Sequence, residues 1–332
     1  MTTDSGNLRN RRFPRAVDFS AAEIHHLLDL AAELKPARSE GVEVARLVGR
    51  RLAPICEKNS TRTRRPIETA AAGEDATTHL GPAGSRPGRR ETVADTARMY
   101  HGIGYRGFAR PTARRPAEHA GLPAYDGLTD ECHPAQSLCD VFTMREHLGR
   151  PPAEISFCYL GDARRDTANS LASMGSLLGM DVRIAAPRAL WPGPLLVAEC
   201  LLLGERSGAG FTLTEDVAEA VQGADFLCTD AWAPTGEGHD GCSERIAQLL
   251  PYQVNARTMA ATGNPDTAFL PCLPALHDRR YEPAEELGAR HCPDALEVTD
   301  EVLESPASLV LEQVENRMHT IKAVLFATLL GG

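Results

Sequence analysis

Two hydrophobic patterns alternate along this chain of 332 residues. Short runs of apolar residues, typical of buried strands, are separated by stretches in which apolar residues recur at helical spacing. The run from Arg50 to Cys56 is of the first kind. The stretch after Ser20, with apolar positions from Ile24 to Leu34, is of the second. This alternation predicts an α/β fold in which helices cover parallel sheets.

The other elements of the first half are predicted in the same way. Ser20 is a suitable N-cap for the first helix. Further strands are expected at residues 103–108 and 122–125, and helices at 91–99 and 137–148. Pro134 suits the first position of that last helix, which places His133 just before the helix start.

The sequence Gly-Arg-Pro-Pro at residues 149–152 predicts a domain boundary, and the same alternation resumes beyond it. Strands are expected at 155–160, 181–186, 211–213, 226–230 and 270–273, and helices at 169–178, 195–203, 216–221 and 308–329. The second half therefore predicts a second doubly wound parallel sheet.

Composition excludes several classes of protein. The net charge of −10 gives no general attraction to nucleic acid or to an anionic membrane. No apolar run approaches the ~20 residues that a membrane span requires. The nine cysteines are odd in number and form no CxxC pair, which is typical of reduced thiols in a cytosolic protein. The polar N-terminus does not resemble a signal peptide, so we expect a cytoplasmic location.

A cluster of hydroxyl and guanidinium groups, Asn-Ser-Thr-Arg-Thr-Arg at 59–64, lies between the predicted strand 50–56 and an apolar, helix-like stretch. Backbone N–H groups at a helix start, the helix dipole and bidentate arginines together suit a phosphate-like dianion. Taken alone, the run favours the simpler interpretation that Ser60 or Thr61 is only an N-cap, and this alternative stays open.

Other candidate polar groups follow the predicted strands. Arg106 lies near the end of one strand, where open parallel sheets bind their ligands. His133, beside a helix start, can donate to a carbonyl oxygen or an anion, although a lone histidine is usually structural. The arginine-rich loop 80–90 is a solvated surface turn on composition alone.

A nicotinamide-dependent dehydrogenase is an alternative for such a fold. Its glycine-rich loop lets the backbone approach a pyrophosphate. The corresponding loop here, Gly-Asp-Ala-Arg-Arg-Asp at 161–166, lacks those glycines, and its Arg and Asp side chains would crowd that space. The sequence therefore disfavours this alternative.

Short motifs in a fixed order span nearly the whole chain. They are Ser-Thr-Arg-Thr-Arg at 60–64, Leu-Gly-Pro-Ala-Gly-Ser at 80–85, Asp-Thr-Ala-Arg at 95–98, Tyr-Arg-Gly at 105–107, His-Pro-Ala-Gln at 133–136, Gly-Asp at 161–162, Asp-Ala-Trp at 230–232, Cys-Leu-Pro-Ala at 272–275, Glu-Val-Thr-Asp-Glu at 297–301 and Glu-Asn-Arg-Met-His at 315–319. Jointly they resemble the aspartate/ornithine carbamoyltransferases, and within them the ornithine branch.

The resemblance implies an α/β protein with two doubly wound parallel-sheet domains, the carbamoyltransferase fold. Residues 1–148 would bind carbamoyl phosphate, residues 149–306 would bind the amine substrate, and residues 307–332 would form a C-terminal helix packing back on the first domain. It also implies a homotrimer whose active sites are shared, with the loop carrying Arg86 reaching a neighbour's site. No metal and no organic cofactor are expected.

The resemblance also implies roles for individual residues. Those expected to bind the phosphate are Ser60, Thr61, Arg62, Thr63 and Arg86. Arg106 and His133 would serve the carbonyl oxygen, with Thr63 helping. Gln136 would bind the carbamoyl NH₂, and Arg317 would complete the pocket. Cys272 and the Leu273 carbonyl would lie beside the attacking amine, although a buried cysteine is more often only a small core residue.

The amine half departs from the ornithine pattern. Arg165 and Asp166 stand where those enzymes usually have two asparagines, and Pro234 and Thr235 replace Ser-Met. Pro271 replaces a histidine. In the phosphate loop, Arg86 stands where a glutamine is common. An Asp166 carboxylate would repel a substrate carboxylate that an asparagine amide could bind.

The acceptor is predicted from these departures, with Asp166, Asp230, Pro234 and Thr235 as its expected contacts. We expect a small diamino acid other than free ornithine, such as 2,3-diaminopropionate or a modified or peptide-bound one, in specialised metabolism. One alternative is a true ornithine carbamoyltransferase in which Arg165 binds the carboxylate. A second is a catalytically silent homologue, which the retained anion-site residues disfavour.

Overall fold

The computed structural model describes residues 7–56, 61–78, 98–106, 124–128, 133–232, 242–273, 275 and 296–331. The chain divides into two compact units. One consists of Met1–Phe142 with Val314–Gly332, and the other of Thr143–Gln313. Among the described residues each unit contains one sheet, and every strand pair in both sheets is parallel. The predicted doubly wound α/β class is therefore confirmed.

The strands form two separate sheets. Those of the first are Arg51–Cys56 (β1), Thr77–Thr78 (β2), Gly102–Arg106 (β3) and Ala124–Leu128 (β4), in the order β2-β1-β3-β4. Those of the second are Ser156–Leu160 (β5), Asp181–Ala185 (β6), Gly210–Thr214 (β7), Phe226–Thr229 (β8) and Ala268–Pro271 (β9), in the order β7-β6-β5-β8-β9. In each sheet the strand order reverses once, between β1 and β3 and between β5 and β8.

Helices connect most of these strands. They are Ala21–Ser39 (α1), Thr61–Ala72 (α2), Pro134–Leu148 (α3), Asp166–Leu177 (α4), Pro194–Ser207 (α5), Val217–Val221 (α6), Cys242–Leu249 (α7), Ala256–Ala261 (α8), Asp300–Leu303 (α9) and Val310–Leu330 (α10). Within the described residues, no helix is both long and apolar enough to cross a membrane.

Local sequence explains where the first long helices begin. Ser20 caps α1 through a full capping box: its hydroxyl accepts from the Glu23 backbone N–H at 3.2 Å, and its own N–H donates to the Glu23 carboxylate at 2.7 Å. Pro134 occupies the first position of α3, where its missing N–H costs no helical hydrogen bond. Both starts agree with the sequence predictions.

The start of α4 differs from the prediction. We expected a helix from Asn169, but α4 begins at Asp166, after an extended Arg165. A carboxylate in the first turn complements the positive end of the helix dipole, which favours the earlier start. Asp166 therefore belongs to a helix and not to the preceding loop. The helices α7, α8 and α9 were not predicted.

The last helix, α10, is attached to the first unit by buried polar groups. Lys35 Nζ donates to Asn316 Oδ1 at 2.8 Å. The fully buried Lys322 lies 2.7 Å from a carboxylate oxygen of the equally buried Glu74 and also pairs with Glu43. Two carboxylates thus compensate one buried ammonium group, which makes this position of α10 strongly specified.

Candidate functional site

The first sheet brings two predicted anion-binding segments to one edge. Cys56, the last residue of β1, pairs with Arg106, the last residue of β3. Only residues 57–60 separate the end of β1 from the start of α2 at Thr61. Ligands of open parallel sheets bind beyond the carboxyl ends of the strands where the strand order reverses. Arg106 and the start of α2 both lie at that reversal.

A second group of predicted residues meets between α3 and α10. His133 and Gln136 lie at the start of α3, and both are buried. Arg317 Nη1 donates to Gln136 Oε1, and Arg317 Nη2 lies 3.3 Å from His133 Nε2. The structure thus unites three residues that are far apart in the sequence.

The contact with Arg317 is compatible with one tautomer of His133. A guanidinium group only donates hydrogen bonds, so the Nε2 atom of His133 must accept and carries no proton. In this arrangement the ring proton lies on Nδ1. His133 can therefore donate a hydrogen bond through Nδ1 only.

Asp140 is a residue that the sequence reasoning missed. Its carboxylate accepts from Gln136 Nε2 at 2.7 Å, one helical turn along α3. Because the amide NH₂ is held by Asp140, the oxygen of Gln136 faces Arg317. That orientation presents an acceptor, which is what a carbamoyl NH₂ requires. The spacing of Gln136 and Asp140 on one helix face was the available signal.

In the second sheet, the polar groups of the amine half follow the strands on either side of the reversal. The turn at residues 161–165 and the start of α4 follow β5, Asp230 follows β8 and Cys272 follows β9. The strand ends are joined by two hydrogen bonds: Thr229 Oγ1 donates to the Leu160 carbonyl at 2.7 Å, and the Cys272 N–H donates to the Thr229 carbonyl at 3.0 Å.

Cys272 and Leu273 are both partly buried at this edge. The Thr167 hydroxyl, in the first turn of α4, donates to Cys272 Sγ at 3.9 Å. Thr167 is the second residue that the sequence reasoning missed, because only the fold brings the start of α4 beside β9. The described cysteines, Cys139, Cys158, Cys200, Cys228 and Cys272, are free thiols.

Charge is concentrated around Asp166. Burial first, and then the nearby Asp230, raises the pKa of its carboxyl to about 6, while Arg165 and backbone N–H groups act in the opposite direction. The hydroxyl of Tyr159 donates to the Asp162 carbonyl at 3.4 Å, and burial followed by Asp230 and Asp162 raises its pKa well above the ordinary value. Because β5 and β8 are parallel neighbours, these groups lie beyond the carboxyl ends of adjacent strands.

The remaining predicted site residues are only partly described. Ser60, Arg86, Pro234 and Thr235 lie outside the described residues, as does most of the predicted helix 91–99. For Thr61, Arg62, Thr63 and Arg106 the structure describes the backbone. Within the described part of the chain, no group of three or more His, Cys, Asp or Glu side chains is arranged to hold a metal ion.

Two models of known protein families match this chain, one in each half. The carbamoyl-P binding domain of aspartate/ornithine carbamoyltransferase matches residues 11–146, and the Asp/Orn binding domain of the same family matches residues 153–328. The chain belongs to the aspartate/ornithine carbamoyltransferase family. The family prediction is confirmed, and with it the prediction of a carbamoyltransferase.

Individual relatives align with this chain over nearly their full lengths. The catabolic ornithine carbamoyltransferase of Burkholderia mallei is 49% identical over 98% of this chain and 99% of its own. That of Chromobacterium violaceum is 49% identical over 97% and 98%. The structure of ornithine carbamoyltransferase from Pyrococcus furiosus superposes with a TM-score of 0.87 at 31% identity, covering 98% of this chain and 99% of that one.

Proposed function

We propose that this carbamoyltransferase transfers the carbamoyl group of carbamoyl phosphate to ornithine, giving citrulline and phosphate. The observation that supports ornithine most strongly is the 49% identity, over nearly the whole chain, to relatives named ornithine carbamoyltransferase. These relatives favour ornithine over the shorter or blocked diamino acid that Asp166 and Pro234 led us to expect. We therefore correct the acceptor to ornithine.

The first unit supplies the donor site in this proposal. Ser60, Thr61, Arg62 and Thr63, at the start of α2, bind the phosphate, and Arg86 is contributed by a neighbouring subunit. Arg106, at the reversal of the first sheet, and the Nδ1–H of His133 stabilise the negative oxygen that develops on the carbonyl. Gln136, oriented by Asp140, accepts from the carbamoyl NH₂.

The second unit supplies the acceptor site. The terminal amine of ornithine lies beside Cys272 and the Leu273 carbonyl, and its nitrogen attacks the carbonyl carbon. The bond from that carbon to the phosphate oxygen breaks, and the departing phosphate takes the proton of the amine. Positioning and charge stabilisation by these side chains account for the chemistry.

Comparing several amines as acceptors of the carbamoyl group tests this proposal. Purified protein is incubated with carbamoyl phosphate and ornithine, 2,3-diaminopropionate, 2,4-diaminobutyrate, lysine or putrescine, and the ureido products are identified by mass. We expect ornithine to have the highest kcat/KM. The Arg317→Gln variant should lose about 100-fold or more, the loss typical of removing one donor to a developing charge.

Two results would contradict the proposal. A shorter diamino acid used ahead of ornithine would restore the acceptor predicted from Asp166 and Pro234. No turnover of any amine, in a protein that carbamoyl phosphate still protects against thermal unfolding, would indicate a silent homologue that binds its ligand.

A further inference from the structure

The turn between β5 and α4 contains two adjacent arginines with different surroundings. The guanidinium of Arg164 is bound to the buried Asp162 through two bonds, from Nε to Oδ1 at 3.0 Å and from Nη2 to Oδ2 at 2.8 Å. The neighbouring Arg165 makes no such bond, and its Nε atom is buried without a hydrogen-bond partner among the described residues. The turn thus holds one arginine that is structurally occupied and one that is not.

Arg165 lies among the polar groups at the end of the second sheet. It is the N-cap of α4, in an extended conformation, and its side chain makes no capping bond. Its charge lowers the pKa of both Asp166 and Tyr159, so the guanidinium is close to both groups. Arg165 is partly buried, which leaves it accessible to a ligand at this edge.

Two carboxylates, Asp166 and Asp230, follow the ends of neighbouring strands in the same region as Arg165. The charge of Asp230 raises the pKa of Asp166, since like charges at short range repel. Asp230 Oδ1 accepts from the Ala231 N–H at 2.7 Å, and Asp166 accepts from backbone N–H groups at the start of α4. Both side chains are partly buried, and a cation placed between them would relieve their repulsion.

One unoccupied guanidinium beside two carboxylates matches the two charged groups of an α-amino acid. We propose that Arg165 binds the α-carboxylate of the acceptor, and that Asp166 together with Asp230 binds its α-ammonium group. The inference rests on the proposed function and assigns specificity to residues of this chain. The terminal amine of the acceptor then extends toward Cys272, which follows the adjacent strand.

This assignment resolves the objection that Asp166 would repel a substrate carboxylate. Asp166 contacts the opposite charge, while the carboxylate is bound by the residue before it. The alternative is that Arg165 only neutralises the two carboxylates. In that case its loss would weaken every ligand of the site, whether or not the ligand has a carboxylate.

Three unreactive probes separate these possibilities. L-norvaline has both the α-ammonium and the carboxylate, L-norvalinamide has the ammonium alone, and valerate has the carboxylate alone. Their dissociation constants are measured by titration calorimetry in the presence of carbamoyl phosphate. Arg165→Gln should weaken norvaline by about 10- to 100-fold, the size expected for a lost charge-assisted pair, and should leave norvalinamide within about threefold.

Asp166→Asn should have the complementary effect. It should weaken norvalinamide by about tenfold and strengthen valerate. It should also remove the acid dependence of norvaline binding. In the wild type, affinity should fall as the pH drops through about 6, where Asp166 takes up a proton. The charged groups that act on the pKa of Asp166 are Asp230 and Arg165. Those that act on Tyr159 are Asp230, Asp162, Arg165 and Cys272.

Controls keep the result decisive. Arg206→Gln removes the same charge from an exposed position of α5 and should change no probe. Carbamoyl phosphate should raise the melting temperature of every variant equally, which shows that each one is folded. With ornithine as substrate, Arg165→Gln should raise KM about as much as it weakens norvaline and should largely preserve kcat.

Equal weakening of norvaline and norvalinamide by Arg165→Gln would overturn the inference, and so would no change in either. Failure of the wild type to bind norvaline would overturn it as well. Failure of the proposed function is a separate result, because it appears as absent turnover of ornithine by the wild type.

Discussion

His319 shows how strongly a single residue depends on its surroundings. It is fully buried on α10, and neither ring nitrogen has a hydrogen-bond partner among the described residues. Burial first, and then the positive charges of Lys322, Lys35 and Arg38, lowers its pKa to about 4. The imidazole is therefore neutral in the folded protein at physiological pH.

The folded protein should lose stability in mild acid because of this residue. The unfolded chain binds a proton at His319 near the ordinary pKa of 6.5, while the folded chain resists until about 4. Stability is therefore lost as the pH falls below 6.5, by about 2 kcal/mol at pH 5. His319→Gln should remove this part of the pH dependence, as measured by urea unfolding at pH 5 and pH 7.

The matched control for this experiment is His147→Gln, which replaces an exposed histidine near the end of α3. Its pH dependence should match that of the wild type. An unchanged slope in the His319 variant would contradict the assignment of the acid sensitivity to this imidazole.

At the scale of an element, the position of α4 on its sheet matters for the candidate site, because the first turn of α4 carries Asp166 and Thr167. This helix packs closely against the sheet. Gly175 makes this approach possible. A Cβ atom there would lie 2.7 Å from Val182 Cγ2 and 2.8 Å from Phe157 Cε1, both buried on the neighbouring strands. The glycine therefore sets the distance between α4 and the strands β5 and β6.

Gly175→Ala should destabilise the protein by about 1–3 kcal/mol, since the added methyl group overpacks the core. In an exposed helix, the same substitution would stabilise by about 1 kcal/mol. Urea unfolding of the purified variant provides the measurement. Phe157→Leu in the Gly175→Ala background should recover part of the loss, and a stability equal to or above wild type in the single variant would refute the packing argument.

At the scale of the whole molecule, the family resemblance implies that several copies of this chain assemble into an oligomer. We propose a homotrimer in which Arg86 of one subunit completes the phosphate site that contains Arg106 of its neighbour. In this proposal both side chains act on the substrate. Each single variant, Arg86→Ala or Arg106→Ala, should therefore assemble normally but be nearly inactive.

Mixing the two inactive variants should restore activity. When equal amounts are dissociated and reassembled, roughly a quarter of the sites in a cyclic trimer combine an intact Arg86 with an intact Arg106. Activity should recover to about that fraction of wild type, and sedimentation should show a trimer. Failure to recover activity in reassembled mixtures would argue that each site lies within one subunit.

Much of the fold was predictable because it depends on local chemistry. The alternation of apolar runs and helical spacing predicted two parallel sheets, Ser20 predicted the start of α1, and Pro134 predicted the start of α3. The ordered motifs predicted the family. The same motifs predicted the candidate site residues, although they do not show which of those side chains contact one another.

The remaining features depend on contacts between distant parts of the chain. Local sequence favoured Asn169 as the start of the fourth helix, whereas the fold begins it at Asp166. The roles of Asp140 and Thr167 required knowing that Gln136 faces Arg317 and that α4 starts beside Cys272. No local pattern encodes such proximity.

What the sequence by itself determined is therefore the fold class, the family and the types of residue available to the site, since these follow from periodicity and motif order. Only the tertiary structure decided which charges face one another. It separated the occupied Arg164 from the unoccupied Arg165, exposed Asp166 to the charge of Asp230, and buried His319 among cations. The physical reason is that burial and nearby charge set the state of an ionisable group, and both are produced by folding.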